Sequence, residues 1–109
     1  GLNFIDTAAG YGGGKSERII GEVLRNLGRT DVFVATKTPP APGPWPPSPY
    51  CKADDRYSMD YLRSNLEERL KFLGTDKVDL LQLHTWTRAW NRNPVPFERL
   101  RQLQSEGLI

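Results

Sequence analysis

Cysteine, histidine and methionine each occur once in these 109 residues, and the scarcity closes off several kinds of protein. The lone thiol of Cys51 can form no internal disulfide, so a disulfide-stapled scaffold is excluded and a reducing, cytoplasmic setting is expected. One thiol and one imidazole (His84) fall short of the ligand sets that hold zinc, and no metal is expected. An excess of one charge is also missing. Fifteen basic and 13 acidic residues leave a formal net charge of +2, mixed along the chain. There is no basic stripe to suit nucleic acid and no acidic tail. No apolar run approaches the ~20 residues that span a membrane, and no signal-peptide pattern is visible. An initiator Met is lacking as well. Gly1 opens almost directly onto a strand and Ile109 follows a helix, so the chain is expected to be a slice of something longer.

What is present is a set of three apolar runs, each closed by an ionisable side chain. Leu2-Asn3-Phe4-Ile5 ends at Asp6, with Tyr11 five residues on; Val32 to Thr36 ends at Lys37; Val78 to Leu83 ends at His84. Continuous β-branched and aromatic runs read as buried parallel strands. Between them lie helix patterns. The first is expected to start at Ser16 as N-cap, with Glu17 favourably placed against the helix dipole. Its apolar face is Ile19, Ile20, Val23, Leu24 and Leu27, with Gly28 as the stop. Ser58 caps a second, whose face is Leu62, Leu66, Leu70 and Leu73, stopped by Gly74. Phe97, Leu100 and Leu103 mark a third, ending at Gly107. Prolines at 39, 40, 42, 44, 46, 47 and 49 make 38–57 a loop rather than a helix or a central strand. A second irregular stretch, rich in Trp and Arg, covers 85–95. The alternation predicts an α/β fold of three parallel strands and three helices, an incomplete (β/α)₈ barrel, since a whole one takes about 250 residues.

Desolvating charge is costly, so ionisable groups gathered at one end of buried strands signal work done there. The carboxyl ends of barrel strands are where such chemistry is assembled. Singly, each residue has a structural explanation. Asp6 could cap a turn, Tyr11 could pack, Lys37 could be solvated, and a lone His is more often structural than catalytic. All four at the same end of the inferred strands favour function. A competing possibility is a phosphate loop over residues 9–16, Ala9-Gly10-Tyr11-Gly12-Gly13-Gly14-Lys15-Ser16, with Ala9 where G-x-x-x-x-G-K-[ST] has Gly. That reading leaves Asp6, Lys37 and His84 without roles, and Asp79 lies at the wrong end of its strand to hold magnesium.

Gly1-Leu2-Asn3-Phe4-Ile5-Asp6-Thr7-Ala8-Ala9-Gly10-Tyr11-Gly12 with Lys15-Ser16-Glu17, then Ala35-Thr36-Lys37, then Leu66-Glu67 through Leu73-Gly74-Thr75-Asp76-Lys77-Val78-Asp79-Leu80-Leu81-Gln82-Leu83-His84, and finally Gln104-Ser105-Glu106-Gly107-Leu108-Ile109 resemble segments of the aldo-keto reductase family. The resemblance implies part of a reductase barrel over 1–109, from its second strand through its fourth helix. It implies reversible, NADP(H)- or NAD(H)-dependent reduction of an aldehyde or ketone to an alcohol. Asp6, Tyr11, Lys37 and His84 would be the catalytic tetrad. Tyr11 gives the proton, Lys37 tunes it because a close ammonium favours a phenolate, Asp6 supports Lys37, and His84 orients the carbonyl. Most nucleotide-binding elements of that family follow later strands, so they are expected beyond Ile109 and the piece alone is expected to be inactive. Trp45 and Trp86, in the two long loops, are candidate walls of a pocket for a small-molecule carbonyl or alcohol. Barrels of this kind also serve as non-catalytic, cofactor-sensing regulatory subunits, which is a further alternative.

Overall fold

A computed structural model describes the whole chain, residues 1–109. Strands β1 (Phe4–Asp6), β2 (Phe33–Thr38) and β3 (Leu80–Leu83) form one parallel sheet in that order. Helix α1 (Lys15–Asn26) joins the first two strands. Helices α2 (Asp54–Tyr57) and α3 (Met59–Leu73) join the second pair, and α4 (Val95–Ser105) follows β3. The three parallel strands and three long helices are those expected. Helix α2 is an addition: a single turn that forms within 38–57 but past the last of its prolines, Pro49, where no ring blocks it.

The strands start one or two residues later than the apolar runs, at Phe4, Phe33 and Leu80, and two further boundary differences bear on the site. Strand β2 runs to Thr38, so Lys37 stands within it rather than after it. Helix α1 starts at Lys15, behind a left-handed Gly14 (φ +87°) that makes no side-chain cap. Ser16 is not the cap because its hydroxyl lies 2.8 Å from that of Thr7, tying the helix start to the end of β1. Gly14 is needed twice over, since a Cβ there would also sit 2.4 Å from the Phe72 ring. Ser58 does cap α3, accepting from the Tyr61 amide.

Alternation along the strands sorts their side chains. One set faces the helices: Val34 and Leu81 join Leu62, Leu66, Leu70, Leu73, Val78 and Leu103 in the core. At Gly21 α1 comes so close to the end of α3 that an added Cβ would lie 2.3 Å from the Leu73 carbonyl oxygen. The register Phe4↔Phe33, Asp6↔Ala35, Ala35↔Leu80 and Lys37↔Gln82 puts the other set on the opposite face. There the expectation of strands buried on both sides fails. Phe4, Phe33 and Leu80 are 48%, 40% and 40% exposed, and Phe4 stacks on Phe33 at 5.2 Å. No layer within the chain packs on that face. The radius of gyration is 14.5 Å, against ~13 Å for a compact domain of this length.

Candidate active site

Asp6, at the end of β1, and Lys37, on β2, share the open face and meet directly. Lys37 Nζ donates to Asp6 Oδ1 at 2.9 Å and Oδ2 at 2.8 Å, and to the Thr7 carbonyl at 2.9 Å. One N–H shared between the two carboxylate oxygens and a second directed at the Thr7 carbonyl account for these contacts. The Lys37 side chain is mostly covered while that of Asp6 is half exposed. The hydrogen bond from Lys37 holds the Asp6 carboxyl below its ordinary 3.8, with the lysine charge and a bond from Gln82 adding to it against desolvation. A depressed folded-state value means that the stability Asp6 adds is present above 3.8 and is lost as pH falls through the lower value. A carbon-detected NMR titration should therefore place the Asp6 midpoint below 3.8, and Lys37→Met should return it upward; an unchanged midpoint in that variant would contradict the pairing.

Tyr11 reaches the pair because β1 and β2 stay joined past the strand proper. Thr7 N donates to the Ala35 carbonyl at 2.9 Å and Ala9 N to that of Lys37 at 3.1 Å. The Tyr11 ring centre then lies 5.5 Å from Lys37 Nζ and 6.3 Å from the His84 ring, edge to face at 89°. The Tyr11 side chain is 48% exposed, and its hydroxyl makes no hydrogen bond within the chain. His84 follows β3, held by its amide on the Thr38 carbonyl at 2.9 Å. The next residue, Thr85, donates its amide to the buried Tyr57 hydroxyl at 3.2 Å. Burial pushes the Tyr57 phenol up from its ordinary value. Tyr57 is thus a fixed post for the His84 loop, in contrast with Tyr11.

All four predicted residues gather at the carboxyl ends of the three strands, with direct hydrogen bonds only between Asp6 and Lys37. The two tryptophans stand apart, in neither hydrogen bond nor ring pair with the four. Trp45 is 69% exposed. Trp86 stacks on Phe97 at 5.0 Å, meets Trp90 edge-on at 5.4 Å and donates to Asn91 Oδ1 at 2.6 Å. Gln82, Thr7 and Tyr57 were missed. The signal for Gln82 was a single amide inside Leu-Leu-Gln-Leu, spaced to share the face of Lys37.

Behind the sheet a second charge cluster is entirely interior. Glu17 of α1 accepts from Thr36 Oγ1 at 2.5 Å, and its Oε2 lies 2.7 Å from Arg69 Nε of α3. The charges touch, but the Nε–H points off line, so neither of those two atoms gains a hydrogen bond. At the far end of the strands a cavity of about 400 Å³ carries Arg25, Arg29 and Lys77 beside the carboxyl termini of α1 and α3. Cations there complement the helix dipoles, which accounts for them without a ligand.

Several amides of the glycine turn are committed within the chain. The amides of Tyr11, Gly13, Lys15 and Ser16 are taken by the carbonyls of Ala8, Gly10, Gly12 and Tyr11. No group of three or more His, Cys, Asp and Glu side chains is placed to hold a metal ion, and no helix is long and apolar enough to cross a membrane.

The chain thus presents a parallel α/β sheet with an acid, an amine, a phenol and an imidazole at its carboxyl edge. The profile described as "Aldo/keto reductase family" matches residues 1–109, and the chain belongs to that family. It is 39% identical over 110 residues to an aryl-alcohol dehydrogenase of Pestalotiopsis microspora, covering all of this chain and 28% of that protein. It is 34% identical over 87 residues to a probable voltage-gated potassium channel subunit beta of Arabidopsis thaliana, covering 77% of this chain and 24% of that one. Among solved structures it superposes on an aldo-keto reductase of Bacillus halodurans in its holo form (TM-score 0.74, 30% identity, all of this chain and 35% of the other). It also superposes on an aldo/keto reductase of Klebsiella pneumoniae in complex with NADP and acetate (TM-score 0.70, 31% identity, all of this chain and 32% of the other). The chain thus spans about a quarter to a third of the proteins it matches.

Proposed function

We propose that this segment is the proton-delivering corner of a cytoplasmic reductase that converts an aldehyde or ketone to an alcohol, and back, with NADP(H) or NAD(H). The observation that carries the reading is the Lys37–Asp6 pair with the Tyr11 ring 5.5 Å away and the His84 ring against Tyr11. The four groups hold and move protons but contain no redox couple, which fits a site that shares its substrate with a nicotinamide. When bound, that cofactor supplies the hydride for the carbonyl carbon. Tyr11 then gives its phenolic proton to the oxygen on which negative charge develops. Lys37 keeps positive charge beside the phenol, and Asp6 keeps Lys37 charged and in place. A hydrogen bond from His84 to the same oxygen would orient the carbonyl and favour the transition state over the ground state. Trp86, on its Phe97 support, and Trp45 are offered as pocket walls.

The test is carbonyl-dependent oxidation of NADPH or NADH, followed at 340 nm, by a complete barrel that carries residues 1–109. Turnover that survives Lys15→Ala is expected; saturable magnesium-nucleotide binding lost in that variant would restore the phosphate-loop alternative. Residues 1–109 alone are expected to turn over little or nothing, because the face bearing Lys37 lies open. A second reading, a regulatory subunit that senses cofactor, draws on the likeness to a channel β subunit. Cofactor binding with no carbonyl turnover in the complete barrel would favour it.

A further inference from the structure

We infer that Tyr57 is a positioning residue for carbonyl reduction: its buried phenol holds Thr85 and thereby fixes where the His84 imidazole points. The inference rests on the reductase reading and deepens it. His84 stands where the sheet gives out. Strand β2 ends at Thr38, and Pro39 and Pro40 after it have no amide hydrogen with which to continue the ladder toward β3. The last backbone tie on that side is the His84 amide on the Thr38 carbonyl, at 2.9 Å. The imidazole makes no hydrogen bond within the chain and meets the Tyr11 ring edge to face. Its direction therefore depends on how the backbone is held on the other side of His84.

That hold is a single phenol oxygen. Tyr57 Oη accepts from the Thr85 amide at 3.2 Å. It also lies 3.2 Å from Thr85 Oγ1 and 3.3 Å from the Thr85 carbonyl oxygen, either of which can take its hydrogen. Accepting from and donating to the same residue fixes Thr85 in two directions at once. The post itself is firmly seated. Tyr57 is fully buried, and its ring meets Trp90 edge-on at 5.6 Å. Its amide donates to the Ala53 carbonyl at 2.7 Å, and its carbonyl accepts from Arg99 Nη1 of α4 at 2.5 Å. The Trp90 indole in turn donates to the Cys51 carbonyl at 3.0 Å. A phenylalanine would fill the same space, so packing alone does not call for the hydroxyl. Burying that hydroxyl is costly unless it is bonded, and Thr85 is the residue it bonds. What the oxygen adds is the placement of Thr85, and a donor such as His84 helps the reaction only when it is aimed.

The experiment is a double-mutant cycle in a complete barrel carrying this segment, with 4-nitrobenzaldehyde as the carbonyl probe and thermal unfolding in parallel. Tyr57→Phe keeps the ring against Trp90 and loses only the oxygen that holds Thr85. It should lower kcat/KM about 3–10-fold, the worth of one neutral hydrogen bond, with cofactor affinity unchanged. In a His84→Ala background, where Tyr11 still gives the proton, Tyr57→Phe should have no further effect, because no imidazole is left to aim. A merely structural role would lower the unfolding temperature and either leave kcat/KM alone or reduce it by the same factor in both backgrounds. Parent-like kcat/KM in Tyr57→Phe, or an undiminished loss in the His84→Ala background, overturns the inference. If Tyr57→Phe does not fold, the same cycle with Thr85→Val, which removes the hydroxyl at the other end of the contact, decides instead. Tyr11→Phe, run alongside, separates the two levels. Activity kept in that variant removes the reductase reading, whereas activity lost there but kept in Tyr57→Phe removes only the role of Tyr57.

Discussion

Tyr11→Phe, placed in a complete barrel carrying this segment, is expected to lower kcat for carbonyl reduction by about 10²–10⁴-fold, the usual worth of a positioned proton donor. The change deletes one oxygen and leaves the ring, so its contacts with His84 and Lys37 persist. Because the hydroxyl makes no hydrogen bond within the chain, its loss strands no buried partner, and unfolding should be nearly unaffected. Cofactor affinity should also be unchanged. Loss of kcat with intact folding and binding is the pattern of an interaction made only in the transition state. A variant that reduces aldehydes at the parental rate would remove Tyr11 from the reaction.

Arg69→Met is expected to destabilise the fold by about 3–5 kcal/mol, the typical cost of leaving one partner of a buried ion pair unpaired. Glu17 is fully buried, and Arg69 is the cation against it. Burial pushes the Glu17 carboxyl up from its ordinary 4.5, while Thr36 and Arg69 pull it back. With the folded value raised, the contribution of Glu17 is fully present below 4.5 and is lost as pH rises through the raised value. The gap between variant and parent should therefore narrow as the pH is lowered toward 4.5, where Glu17 takes up a proton and no longer needs Arg69. Adding Glu17→Gln should recover part of the loss at neutral pH, since the stranded charge is then gone. Urea denaturation of the parent and the two variants measures all of this. A loss under 1 kcal/mol that is flat with pH would show that the pair matters little.

The strand and helix order was legible because apolar runs and glycine stops were unambiguous. So was the gathering of Asp6, Lys37 and His84, since parallel strands must present their carboxyl ends together. What was hidden depends on partners far away in the chain. Phe4, Phe33 and Leu80 read as core because their sequence suits two covered faces, yet nothing in 109 residues covers the second. Ser16 reads as a cap until Thr7 claims its hydroxyl. Glu17 reads as a partner of the helix dipole, and only the packing of α1 on α3 makes it the interior partner of Arg69. The roles of Gln82 and Tyr57 come from residues 76 and 28 positions away, a separation that no local pattern carries.

The central claim is that Lys37 and Tyr11 act as one unit. A double-mutant cycle in a complete barrel, with Lys37→Met, Tyr11→Phe and the pair compared by kcat, tests it most directly. The double variant should be scarcely slower than Tyr11→Phe alone, because an amine that works through the phenol has nothing left to act on. Losses that multiply across the two sites would show that the ammonium and the phenol serve the reaction independently.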